Sequence, residues 1–165
     1  MFAAALSGGR RHAGADAALE PRAELGRALL RVAHRFPVDS DLAAALVLDG
    51  PLRERVGDDL QAAVDRSMAR LEDPLEHKRL PFDLWTQTAG LLGGLAKLDD
   101  ARAAAVAERL IKLGRGARDL LFEINLAMVA GRGPGTRAVL ERLSASKHRD
   151  VAEDAARKLE RGRPG

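Results

Sequence analysis

Histidine, carboxylate and hydroxyl side chains are where this chain could do chemistry, and their spacing decides what chemistry is open to it. The four histidines, His12, His34, His77 and His148, lie far apart, with none three or four residues from another and no HExxH arrangement, so they spell no metal site. Adjacent acids stand at Asp58/Asp59, Glu72/Asp73, Asp99/Asp100 and Glu153/Asp154. Neighbours on a helix point about 100° apart, and most of these pairs read as caps, turns or solvated faces rather than as an acid and a base. Ser7, Ser40, Ser67, Ser144 and Ser146 lack a GxSxG setting. No nucleophile stands out, and the expectation is a protein that is not an enzyme and uses no cofactor.

Two glycine clusters resemble phosphate-cradling loops only at first sight. Gly90-Leu-Leu-Gly-Gly94 has no following Lys-Ser or Lys-Thr and no preceding strand, and Gly131-Arg-Gly-Pro-Gly135 lacks the same lysine and strand context. Gly90, Gly93 and Gly94 each cost about 1 kcal/mol relative to alanine inside a helix, so a neighbour whose backbone comes close is expected at all three. Glu123 and Asn125 sit among apolar residues in LLFEINLAMV. Buried polar groups are satisfied structurally, which places Glu123 at the helix edge beside an arginine and bonds Asn125 to a neighbouring loop.

The formal charge of +3 conceals an asymmetry. Residues 1–101 carry 13 Lys/Arg against 16 Asp/Glu, and residues 102–165 carry 14 against 8. A basic C-terminal half can meet nucleic acid, an acidic protein or an anionic surface, or can simply be a set of solvated helix faces. Its candidate partner-binding residues are Arg102, Arg109, Lys112, Arg115, Arg118, Arg137 and Arg149, with Arg132 and Lys147 also at helix ends. Phosphate contact needs only such cations, but base stacking needs aromatics beside them, and aromatic residues are 3% of the chain.

The elements that must position these residues are helical. With no cysteine, neither disulfides nor thiolate metal sites form, in keeping with a cytoplasmic location. The core must be aliphatic, and an aliphatic core with 31% charged residues favours amphipathic helices. Residues 1–20 are expected as a flexible arm. From Pro21, a helix faces inward with Leu25, Ala28, Leu29, Val32, Ala33 and Phe36, and ends at Phe36-Pro37. Ser40 caps a short helix to Leu48, and a long one from Pro51 to Leu71 turns Arg53, Gln61, Arg66 and Arg70 mostly to water. These make a three-helix group over 21–72. The charged stretch Glu72–Leu80 then marks a hinge within what is expected to be one continuous domain.

The most apolar helix, Pro81–Leu98, carries Phe82, Trp85, Ala89, Leu92 and Ala96 on one stripe and Leu84, Leu91, Leu95 and Leu98 on another, so it is expected to be buried on two sides. Further helices follow from Asp99, Ala117, Thr136 as a cap, and Arg149. No apolar run approaches the roughly 20 residues of a membrane span.

Helix starts two apart are separated by about 32 to 36 residues after Pro81, the pattern of a repeated helix pair. His148-Arg-Asp-Val-Ala-Glu-Asp-Ala-Ala-Arg-Lys-Leu159 resembles the second helix of a HEAT-type repeat, with Asp150, Val151, Ala155, Ala156 and Leu159 at the matching positions and Ala152 where many such repeats have arginine. Asp99–Leu110 is a looser echo, with Arg102 present but the register slipped by one residue. The resemblance covers residues 81–161. It implies an all-α, HEAT-like α-solenoid of stacked antiparallel helix pairs, about eight helices in all, serving as a non-catalytic scaffold or adaptor whose partner is another protein. The structural alternative is an irregular helical bundle. The functional alternative is a sequence-nonspecific nucleic-acid binder using the basic half, and a HEAT-like DNA-repair enzyme comes third, without a catalytic aromatic and acid to carry over.

Overall fold

The computed structural model describes residues 3–35 and 40–162, with side chains described for 17–35 and 41–162. Every regular element among them is an α-helix: α1 (Ala3–Val32), α2 (Ser40–Leu48), α3 (Gly50–Arg55), α4 (Gly57–Glu72), α5 (Phe82–Leu98), α6 (Asp100–Leu113), α7 (Arg118–Met128), α8 (Pro134–Ser144) and α9 (Arg149–Arg161). The fold is all-α. One helix more than the eight or so expected arises at Val56, which leaves helical dihedrals (φ −108°, ψ 13°) and divides the segment after Pro51 into α3 and α4. Its N–H still donates to the Leu52 carbonyl, closing α3, and its own carbonyl still accepts from Leu60, opening α4. Residues 40–72 therefore hold three helices, and the N-terminal group has four with α1.

The first helix differs from expectation at its start and in its inward face. It begins at Ala3, where an irregular arm is expected over 1–20, and it runs through Pro21. A proline inside a helix costs roughly 3 kcal/mol, and packing offsets it here. Leu19, Ala23, Leu30 and Ala33 are buried, and Gly26 lies between them at alternating steps of four and three residues. Leu25 and Val32, expected to face inward, are exposed. Glu20 binds Arg27 (2.9 Å) and Arg55 (3.0 Å), tying the turn around Pro21 to α3. The expected stop at Phe36-Pro37 and the Ser40 cap lie outside the described residues and side chains.

Arginines expected to face water are half-buried helix caps. Arg66 donates to the Leu30 carbonyl (3.2 Å), Arg70 to that of His34, and Gln87 to that of Ala33 (2.5 Å), so α4 and α5 satisfy the open carbonyls at the end of α1. Arg53 donates 3.0 Å bonds to the Leu46 and Val47 carbonyls at the end of α2. Helix C-termini carry partial negative charge as well as unpaired carbonyls, and guanidinium groups answer both.

Helix α5 is the centre of the molecule, packed against α2, α4, α6 and α7. Ten of its residues are buried, from Leu84 and Trp85 to Leu95 and Ala96, whereas Phe82 is 47% exposed despite its place in the apolar pattern. A neighbour comes close at two of its three glycines, but through side chains, with the nearest backbone atoms at 3.6 Å, rather than through the backbone expected. A Cβ at Gly93 would stand 2.9 Å from Val47 Cγ2, and one at Gly94 2.9 Å from Leu46 Cβ; a Cβ at Gly90 meets nothing within 4 Å.

The later helices lie beside their counterparts one pair back, running parallel. Between α4 and α6, Arg102 bonds Gln61 (2.9 Å) and Asp65 (2.5 Å), and Arg109 grips both oxygens of Glu72 with Nε and Nη2, one edge of its guanidinium. Between α6 and α8, Asp100 meets Gly135 and Thr136, and Arg142 pairs with Glu108. Between α7 and α9, Arg118 pairs with Asp150 and Asn125 donates to Asp154 (2.7 Å). In each case both residue numbers rise together, which fixes the direction.

Candidate binding surface

The candidate cations can be followed to their neighbours one by one. Arg102 and Arg109 face α4 and are taken by its acids, and Arg118 is shared between Asp119 (2.8 Å) and Asp150. Its guanidinium pKa is raised, chiefly by the hydrogen bond to Asp150, and that of the Asp150 carboxyl is lowered by the same contact. Arg137 and Arg149 make exposed pairs one turn along their own helices, with Glu141 (3.1 Å) and Glu153 (2.6 Å). Lys112 and Arg115 are exposed and make no ion pair with a described residue. The seven do not form one patch: five are spent on carboxylates, and Arg115 and Arg137 line separate hollows.

The hollow around Arg115 holds about 330 Å³ and brings Lys78, Phe82, Trp85 and His77 beside it. The His77 and Trp85 rings meet edge to face with centroids 6.4 Å apart. Aromatic side chains thus stand beside one candidate cation, Arg115, where none is expected beside any of them from the sequence. They come from the loop before α5 and the start of that helix, some 30 residues from Arg115 in the chain. Arg115 is placed by a left-handed turn (φ 52°) followed by Gly116 (φ 70°), at the end of α6.

The larger hollow, about 610 Å³, lies where the ends of α7 and α9 meet the start of α8. Val129, Leu140 and Leu159 give it an apolar floor, and Arg132, Arg137, Lys158 and Arg161 surround that floor. Val129 is 47% exposed, as is Leu126 to a similar degree one turn earlier.

The loop that opens this hollow, Gly131–Gly135, is shaped by an internal anion. Asp100 accepts from the Gly135 N–H (2.6 Å), the Thr136 N–H (3.1 Å) and the Thr136 hydroxyl (2.6 Å). Thr136 is therefore inside the first turn of α8, with Gly133 as the cap residue in place of the expected threonine. A side chain at Gly133 would collide with the Asp100 carboxylate, and one at Gly135 would stand 2.8 Å from it. Burial works against ionisation of Asp100, but the bonds from Thr136 and Gly135 prevail and its pKa is lowered. The anion that a glycine-rich loop at a helix start could take from solution is here supplied by the chain.

The chain matches no family model, no curated protein and no solved structure.

Several of the acids considered for catalysis, and His148, make structural contacts, and the side chain of His12 lies outside those described. Asp99 caps α6 through the Arg102 N–H (3.0 Å), Asp73 accepts from Leu75 N–H (2.8 Å), and Glu72 and Glu153 hold arginines. Asp154 is held in its charged form chiefly by Lys158 (2.7 Å). His148 Nε2 lies 3.0 Å from the Gly116 carbonyl. Among the described residues, no three His, Cys, Asp or Glu side chains group closely enough to hold a metal ion. Asn125 is fully buried and bonded to α9, not to a loop, and the Lys158 ammonium donates to its main-chain carbonyl (3.3 Å). Glu123 is half-buried at the helix edge, but no arginine pairs with it among the described residues.

The sequence pattern leaves out Val129, Lys158 and Arg161 as surface candidates. Lys158 and Arg161 fall within a helix tail that resembles any solvated helix end, and Val129 belongs to a second stripe on a helix apolar on two sides. Their convergence depends on α7 and α9 lying parallel, for which the one advance signal is the repeated spacing of helix starts.

Proposed function

We propose that this chain is a non-catalytic protein-interaction module of the helical-repeat type, a scaffold or adaptor, working in the cytoplasm. The observation that carries it is the apolar-floored, cation-rimmed groove at the ends of α7 and α9, since exposed apolar surface framed by polar groups is characteristic of a partner-binding site. The parallel rows α4, α6, α8 and α7, α9 support a HEAT-like stack, with offsets between paired residues of 29 to 41 along the chain. The absence of cysteine supports the location.

A second reading, a sequence-nonspecific nucleic-acid binder, draws support from Phe82 standing exposed beside Lys78 and Arg115. Against it, most of the cations in the basic half answer the chain's own acids. Affinity capture from the native host, followed by calorimetry between the purified chain and each captured protein, tests the first reading. Direct one-to-one binding of a purified partner is expected. Single- or double-stranded DNA that binds at micromolar concentration and weakens steeply with salt, with no protein partner surviving purification, would replace it with the second.

A further inference from the structure

The groove at the ends of α7 and α9 has a charge balance that its ion pairs do not cancel. Among the described residues, its lining includes four cations and no carboxylate. Arg132 and Arg161 make no ion pair with a described residue. Arg137 is engaged only by the exposed Glu141 on its own helix, a class of contact that exchanges readily for another anion. Asp154, which holds Lys158, also accepts from Asn125 and Arg157 and is not among the residues that line the groove. An occupant must therefore bring negative charge.

The floor says what else it must bring. Val129, Leu140 and Leu159 are aliphatic, and no aromatic ring among the described residues lines the groove, so a nucleic-acid backbone would satisfy the cations but leave the floor without a stacked base. Aliphatic side chains of a peptide would cover that floor, with Leu126 extending the apolar strip by one helical turn along α7.

Building on the interaction-module reading, we propose that this groove binds an acidic segment of another protein in which aliphatic residues recur among aspartates and glutamates. The cations take the carboxylates, and the floor between them takes the aliphatic side chains. Association is steered by the unpaired charges and weakens with salt, while the apolar contacts set the dissociation rate.

The test is fluorescence anisotropy on the full chain with three labelled peptides: glutamate-rich with leucine at every third or fourth position, glutamate-rich with serine replacing leucine, and lysine-rich with leucine. The first peptide is expected to bind at low salt, the second to lose about tenfold or more, and the third not to bind, as the charge and the floor are each needed. The double variant Arg132→Glu, Arg161→Glu should lose at least about tenfold for the first peptide, and Val129→Ser should weaken it as well, with circular dichroism unchanged. Arg149→Glu, outside the groove, should bind as the parent does. Failure of the first peptide to bind the folded chain, or binding indifferent to the double reversal, overturns the proposal. Should a captured protein bind the parent and the double reversal equally well in calorimetry, the groove assignment falls and the interaction module stands; should no protein bind at all, the module falls with it.

Discussion

Asp100 shows how a single carboxylate can decide the shape of a loop more than 30 residues away. It gathers two N–H groups and a hydroxyl at the start of α8, and the glycines at 133 and 135 leave room for it. Because its folded pKa lies below its unfolded value, its stabilisation is complete above about pH 4 and is lost as pH falls through the folded value. Asp100→Asn keeps the shape but places an amide among donors, and is expected to lower stability by about 1 to 3 kcal/mol at neutral pH. In urea denaturation the gap to the parent should narrow toward about pH 3, and a gap independent of pH would show that the charge is not what holds the loop. The glycines of α5 give a second residue-scale test. Gly94→Ala puts a methyl 2.9 Å from Leu46 Cβ and should cost about 1 to 3 kcal/mol through overpacking, with Gly93→Leu at least as harmful. Gly90→Ala meets open space and should stabilise by up to about 1 kcal/mol. Equal effects at positions 90 and 94 would remove close approach as the reason for the cluster.

At the level of elements, two kinds of arginine join helices here and should respond differently to salt. Arg109 holds Glu72 at the surface, with half of its own side chain exposed, so Arg109→Gln should cost about 0.2 to 1 kcal/mol and less in concentrated salt. Arg53 bonds two carbonyls at the end of α2, and Arg53→Met should cost about 1 to 3 kcal/mol with little dependence on salt, since carbonyls are left unpaired. Chemical denaturation of both variants at low and high salt separates the two. Helical periodicity made the helices after Pro81 legible, with starts within two residues of those observed, because each has a clear apolar stripe and a Gly, Asp or Pro break. It failed at α1, where Pro21 reads equally well as a first-turn residue and as an interior one. The tie is broken by Leu19 and Ala23 packing into the core, a tertiary fact. Nor could it tell a capping arginine from a solvated one, since carbonyls at the end of another helix leave no mark in local spacing.

Over the whole molecule, part of the contrast between an acidic first part and a basic second part becomes intelligible as attachment between helices two apart. Arg102 and Arg109 reach back to Asp65 and Glu72, Arg142 to Glu108, and Arg118 reaches forward to Asp150. Charge counts could not reveal this, because surplus and solvated charge look alike until the partners are placed. After those pairings, unmatched cations stand at two places, Lys78 and Arg115 beside Phe82 and Arg132 and Arg161 at the ends of α7 and α9, while Lys112 and Lys147 line neither hollow. The most direct test of a protein-binding groove is an amide NMR titration of the full chain with the glutamate-and-leucine peptide. Saturable shifts centred on Val129, Arg132, Leu159 and Arg161 are the expected result. Shifts centred instead on Phe82 and Arg115, or none at all at concentrations well above micromolar, would contradict it.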